Sequence, residues 1–234
     1  MSISNIQNIL ATMNLSVDID SNINRLNQNK RCPIVLLIDT SESMKKYENL
    51  IKASLVNSYE TILNSRRASM AVELSVITFN KEVIVQEQMR EIKRHEEKGV
   101  NVNILCEGYT LLGLGLKGAI QQIEGRKKVY ANGIPKIRYY SPIIFLISDG
   151  WPECFDNEIK KQDEEALRLS KEYIKAEVAA NRLTVVSVEL GENCEHNLMR
   201  ELTVRNSDQC VAHICDENSL AQYIKVLLCH LYCY

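Results

Sequence analysis

The stretch Cys32-Pro-Ile-Val-Leu-Leu-Ile-Asp-Thr-Ser-Glu-Ser-Met44 decides the reading of this chain. An apolar run of strand length stops at Asp39 and gives way to the pattern Asp39-x-Ser41-x-Ser43. A short continuous apolar run bounded by polar residues fits a strand buried on both faces, as in a parallel sheet. One carboxylate and two hydroxyls, each two residues apart, leave that strand together and can converge as oxygen donors. Hard cations such as Mg2+ select such donors and usually keep some water. Asp39 or Ser41 would also suit the N-cap of a following helix, and this segment alone leaves both readings open.

Two further segments bear on that choice. Ser141-Pro-Ile-Ile-Phe-Leu-Ile-Ser-Asp149-Gly150 is a second apolar run ending in a carboxylate, and Glu107-Gly108-Tyr109-Thr110 is a turn with a hydroxyl ahead of a helical pattern. Asp39, Ser41, Ser43, Thr110 and Asp149 thus come from three separate element ends.

Outward from these motifs, β-branched runs alternate with helical patterns. The predicted strands are 33–39, 71–79, 82–88, 142–148, 183–189 and 210–214. The predicted helices are 45–64, 112–124, 160–181, 195–203 and 218–231. The last has Leu220, Tyr223, Ile224, Leu227, Leu228 and Leu231 on one helical face. Only Asn80-Lys81 separates the second and third strands, which predicts a tight hairpin and one antiparallel edge strand. The expected fold is a doubly wound α/β domain: a mostly parallel six-stranded sheet in the order 3-2-1-4-5-6, with helices on both faces. Such sheets bind ligands outside the carboxyl ends of their strands, where the order reverses. Neighbouring first and fourth strands would bring Asp39 and Asp149 out side by side, with Thr110 closing a third side of a small cation-binding cup.

Composition narrows the function. A chain of 234 residues with 45% hydrophobic and 25% charged side chains can build one large core. Its net charge of -2 provides no field for nucleic acid or an anionic membrane, and neither partner is expected. The amino terminus lacks a basic segment followed by a continuous apolar one, and no apolar run reaches membrane-spanning length, so a cytoplasmic location is expected. Residues 1–31, rich in Asn and Ser with scattered Ile and Leu, read as a short helix or arm beside a domain at 32–234. Residues 125–141 read as a basic, turn-rich connection. Cys210, His213, Cys215, Cys229, His230 and Cys233 cluster near the end without C-x-x-C spacing, which favours core packing over zinc.

Catalytic motifs are missing. Asp39-Thr40-Ser41 has no second copy of the kind a two-motif aspartic protease needs, and no G-x-S-x-G elbow, P-loop or dinucleotide fingerprint occurs. His95, His196, His213 and His230 lie away from the expected cup, leaving Ser41 and Ser43 without a general base. A metal-dependent hydrolase or phosphatase and a metal-free scaffold are the alternatives to an interaction module.

Asp39-Thr-Ser41-Glu-Ser43-Met44, Gly108-Tyr-Thr110-Leu-Leu-Gly113 and Ile147-Ser-Asp149-Gly150 occur in the order seen in von Willebrand factor A domains with a metal-ion-dependent adhesion site. The chain resembles that family over residues 32–232. Leu74-Ser-Val-Ile-Thr-Phe79 and Asp149-Gly-Trp-Pro152 look further like the bacterial tellurite-resistance-associated subgroup. The resemblance implies hydroxyls from Ser41, Ser43 and Thr110 on Mg2+ or Mn2+, and Asp39 and Asp149 holding the ion directly or through water. A partner protein's carboxylate would take the remaining position, making a docking point rather than a catalytic centre. A small-molecule substrate is not implied. Two positions depart from the pattern: Glu42 and Tyr109 stand where glycine is common.

All eight cysteines are expected as free thiols, since several lie in apolar patterns and a chain of this length needs no disulfide framework. Thiol titration of the denatured, unreduced protein should approach eight per chain. A stable count of two or four free thiols would instead point to an oxidised protein.

Overall fold

The computed structural model describes residues 30–92, 102–149, 154–190, 196–203 and 211–214. The expected arm, apart from its last two residues, and the expected helix at 218–231 lie outside them. So do Gly150–Glu153, His95, His230, Cys194 and the tail cysteines Cys210, Cys215, Cys229 and Cys233.

The strands are β1 Cys32–Asp39, β2 Val72–Phe79, β3 Val83–Glu91, β4 Ile143–Ser148, β5 Thr184–Leu190 and β6 Val211–Ile214. They lie in the order β3-β2-β1-β4-β5-β6. Only β2 and β3 pair antiparallel; every other neighbouring pair is parallel. The strand order is the expected one, and the difference from the expected six-stranded sheet lies in its last strand. Five strands, β1 to β5, form the body of the sheet, while β6 is a four-residue piece on the edge of β5.

Between the strands lie a 3-10 turn at Glu42–Tyr47 and the helices α1 Glu48–Asn64, α2 Arg66–Ala71, α3 Leu112–Asn132, α4 Asn157–Ala179 and α5 His196–Thr203. The alternation of the strands sorts them into two layers. Ile34, Leu36 and Ile38 of β1 pack with Leu50, Leu55 and Ile62 of α1 on one face. Val35 and Leu37 face the other way, against Leu112 and Leu116 of α3, Ile174 of α4 and Met199 of α5. Each such buried aliphatic side chain stabilises the fold by about 1.5–3 kcal/mol, so the central strands must read as unbroken apolar runs.

Three local expectations are corrected. The β2–β3 connection has three residues, and Asn80 closes it by accepting from Glu82 N at its side-chain oxygen, 3.1 Å. The short helix α2 was not foreseen; Ser65 caps it, accepting from Ala68 N at 3.2 Å. Residues 125–132, assigned to a basic loop, instead continue α3.

Tertiary partners explain that extension. Arg126 grips Glu73, at the start of β2, through two hydrogen bonds of 2.6 and 2.7 Å, and Tyr130 donates its hydroxyl to the same carboxylate. Arg31 approaches Glu73 at 3.8 Å and pairs with Glu91 at 2.5 Å. Lys127 bridges Glu124 and Glu177 at 2.8 and 3.2 Å. These contacts outweigh the roughly 1 kcal/mol that Gly125 costs inside a helix. Arg126 and Lys127 are thus used on carboxylates of the same chain.

Among the described residues, Cys32, Cys106 and Cys154 form no disulfide. Burial pushes the Cys106 thiol up to about 12, which makes it inert near neutral pH.

Glu73 is only 1% exposed, so removing its main cation would leave a buried charge poorly compensated. Arg126→Met should cost about 3 kcal/mol in urea-unfolding free energy. Arg168→Met, at an exposed ion pair on α4, should leave it close to the wild-type value. Equal effects of the two substitutions would contradict the role given to Glu73.

Candidate metal centre

The carboxyl end of β1 sits between β2 and β4, so its last residue emerges at the centre of the sheet's upper edge. That residue is Asp39, with no exposed surface. Its Oδ1 accepts from the backbone N–H of Ser41 at 2.8 Å, and its Oδ2 accepts from the Ser148 hydroxyl at 2.6 Å. Burial raises the Asp39 carboxyl to about 7; these hydrogen bonds oppose the rise and the nearby charge of Asp149 adds to it.

Ser41 and Ser43 have their hydroxyl oxygens 3.1 Å apart. Ser41 occupies the N-cap position of the 3-10 turn, yet its side chain makes no capping hydrogen bond. That outcome weighs against the capping reading and leaves the two hydroxyls paired beside Asp39. Ser43 is exposed, whereas Ser41 and Thr110 are buried.

The loop carrying Thr110 is fastened to this edge by backbone hydrogen bonds. Glu107 N donates to Thr40 O at 2.9 Å, Glu42 N to Gly108 O at 3.0 Å, and Leu111 N to Asn80 O at 3.1 Å. Gly108 has φ of 72°, a left-handed conformation that glycine adopts without steric cost. Tyr109 has no positive φ, so its replacement of a commoner glycine introduces no backbone strain of that kind. Lys81 pairs with Glu107 at 2.6 Å on the outside of the loop.

Behind Thr110, α3 begins in close contact with α4. A Cβ on Gly113 would lie 2.1 Å from the carbonyl oxygen of Asp163, so only glycine lets the two helices approach this closely. The Asp163 carboxylate accepts from Leu114 N at 2.8 Å, satisfying a first-turn N–H and placing negative charge at the positive end of the α3 dipole. Burial raises the Asp163 carboxyl above its usual range, opposed by these backbone hydrogen bonds.

Asp149 directly follows Ser148 at the end of β4 and is 8% exposed. Its Oδ1 is buried and has no hydrogen-bond partner among the described residues. An unsatisfied buried carboxylate oxygen costs free energy unless a cation or donor meets it. Glu189, in register with Ser148 on the neighbouring strand, extends the row of buried polar residues along this edge.

The structure therefore joins Asp39 to Ser41 and Ser41 to Ser43, ties the Thr110 loop to Thr40 and Glu42, and sets Asp149 where its charge acts on Asp39. Sequence reasoning missed Ser148, Asn80 and Asp163. Ser148 precedes the motif aspartate and gave a positional hint; Asp163 is 49 residues from its partner Leu114, with no local signal. Among the described residues, no three His, Cys, Asp or Glu side chains form a metal-binding group. The donor set at the cup is two carboxylates with hydroxyls, which suits Mg2+ or Mn2+ better than Zn2+.

No family model matches the sequence, and no curated protein matches it. Solved structures do. The pilus adhesin SpaC of Lactobacillus rhamnosus GG, in its open conformation, aligns at a TM-score of 0.64 and 12% identity over 86% of this chain and 30% of its own. Proximal thread matrix protein 1 of the mussel byssus, with a zinc-occupied MIDAS motif, aligns at 0.58 and 17% identity over 86% and 48%. Manganese-loaded TRAP of Plasmodium vivax aligns at 0.58 and 13% identity over 86% and 74%. The chain spans less than half the length of the adhesin and the mussel protein. At these identities the likeness establishes the fold, that of a von Willebrand factor A-like domain.

The raised Asp39 carboxyl has a consequence for the metal-free protein. Its folded value, about 7, lies above the ordinary 3.8, so the folded state holds a proton that the unfolded state releases between those values. Stability should fall as pH rises from about 4 through about 7, and this contribution should level off above. In EDTA, the advantage of Asp39→Asn over wild type should therefore grow across that window, by on the order of 4 kcal/mol. Parallel stability curves for the two proteins would show that Asp39 is not a strained acid.

Proposed function

We propose that this chain is a divalent-metal-dependent protein interaction module whose docking point is the cup at the end of β1 and β4. The buried Oδ1 of Asp149, without a partner among the described residues and beside a fully buried Asp39, carries this reading: two carboxylates packed at one edge call for a cation. Hydroxyls of Ser41, Ser43 and Thr110, with the carboxylates of Asp39 and Asp149, would hold Mg2+ or Mn2+. When bound, the ion would supply a positive centre able to accept one more anionic oxygen, because two carboxylates leave it electrophilic.

The protein's own contribution is to hold the donors. β1 and β4 fix the carboxylates, the hydrogen-bonded loop fixes Thr110, and exposed Ser43 opens the site to solvent. A partner carboxylate would complete the site. Exposed Glu42 stands at the rim and would compete with it. A hydrolase or phosphatase reading finds less support, since the Ser41 and Ser43 hydroxyls contact each other and the Ser148 hydroxyl is spent on Asp39. The tellurite-resistance-type setting and a cytoplasmic location rest on the sequence pieces alone.

A pull-down from lysate in Mg2+ and in EDTA, followed by calorimetry with the captured partner, tests the proposal. Ser43→Ala should weaken partner binding in Mg2+ by about tenfold or more while leaving the melting temperature near wild type, because Ser43 is exposed. Asp39→Ala should abolish metal binding, and Glu42→Gly should tighten the complex in Mg2+ only. Equal affinity of wild type and variants, with and without metal, would show that docking uses another surface.

A further inference from the structure

The helices α3 and α4 run side by side in the same direction: Gly113 meets Asp163 and Leu167, Glu124 meets Tyr173, and Lys127 meets Glu177. Their outer side leaves a groove of about 550 Å³. Leu114 and Ile120 of α3 and Ala166 and Leu169 of α4 line it, and Leu169 stays 50% exposed. Lys117 and Lys161 stand on its two walls, and neither makes an ion pair among the described residues. Glu165, also on the wall, is taken by Arg168 at 2.7 Å. The groove is therefore apolar along its floor and carries two lysines without a carboxylate partner.

The chain itself holds a segment of matching chemistry. Residues 1–17 contain no charged side chain and place Ile3, Ile6, Ile9, Leu10 and Met13 at i, i+3, i+6, i+7 and i+10, one stripe of a helical repeat. Asp18 and Asp20 follow directly. Such a stripe needs an apolar surface, and two carboxylates at its end suit two lysines.

The tether is long enough. The chain reaches Lys30 and Arg31 beside the Glu73 carboxylate, which Tyr130 of α3 also contacts. From Tyr130 up to Lys117 is thirteen helical residues, about 20 Å. The ten residues from Asp20 to Lys30 span up to about 33 Å when extended. A tethered segment meets its site at an effective concentration on the order of millimolar, so weak intrinsic affinity suffices.

We propose that residues 1–20 of this chain dock in the groove between α3 and α4, with the Ile3–Met13 stripe on its apolar floor and Asp18 and Asp20 against Lys117 and Lys161. The occupied site lies on the flank of the domain, on the outer side of α3 and α4, and the cup at the sheet edge stays open to a partner.

The test uses the full chain with the photo-crosslinking residue p-benzoylphenylalanine in place of Ile9. Irradiation of dilute protein should give an intramolecular crosslink, mapped by mass spectrometry to residues 114–121 or 161–173, equally in Mg2+ and in EDTA. The double variant Lys117→Glu, Lys161→Glu should lower the yield roughly threefold, in line with the modest strength of exposed ion pairs, and Asp18→Lys with Asp20→Lys in the same chain should restore it. Crosslinks to another surface, crosslinks between two copies, no crosslink at all, or a yield indifferent to the lysine variants would each overturn the proposal.

Discussion

A carboxylate with no exposed surface sits at the centre of the sheet edge, and the upper end of the molecule is arranged around it. Burying Asp39 is unfavourable in its charged form, as its raised carboxyl reflects. Two hydrogen bonds, from Ser41 N and the Ser148 hydroxyl, hold both its oxygens. They also fix the turn after β1 and join β1 to the end of β4. Asp149, with a buried oxygen that finds no donor among the described residues, deepens the same electrostatic demand. Such a concentration of negative charge is tolerable at a place that takes a cation and is otherwise a source of strain.

Asn80 connects this edge to the rest of the chain. Its backbone carbonyl accepts from Leu111 N, its side-chain nitrogen donates to Thr40 O at 3.4 Å, and its side-chain oxygen closes the β2–β3 connection. One residue thus links the end of β1, the hairpin and the loop that carries Thr110. Gly113 and Asp163 hold the same loop from behind, by letting α4 approach and by engaging the first turn of α3. Thr110 is placed by contacts on both sides, although no neighbour in sequence dictates its position.

The opposite end of the sheet relies on a different device. Glu73 lies inside the protein because Arg126, Tyr130 and Arg31 surround it, and this cluster locks the second half of α3 against the start of β2. α3 therefore joins two polar centres, the Thr110 loop at its first turn and the Glu73 cluster at its last turns. The apolar contacts of Leu112, Leu116, Ala119 and Ile123 lie between them.

The sequence by itself determined the layered α/β architecture, because strands buried on both faces must read as apolar runs and those runs stand out in residues 33–38 and 142–147. It also determined which oxygen-bearing residues end those runs, since Asp39, Ser41, Ser43 and Asp149 follow them directly and Thr110 opens a helical pattern. Only the tertiary structure decided where α3 ends, because Arg126, Lys127 and Tyr130 become helical through carboxylates more than 45 residues away in Glu73 and Glu177 as well as through the adjacent Glu124. Only the tertiary structure assigned Ser148, Asn80 and Asp163 their parts. Local pattern records which side chains must be hidden; hydrogen bonds between distant segments depend on which strand ends the sheet order sets side by side, and that adjacency exists only once the chain has folded.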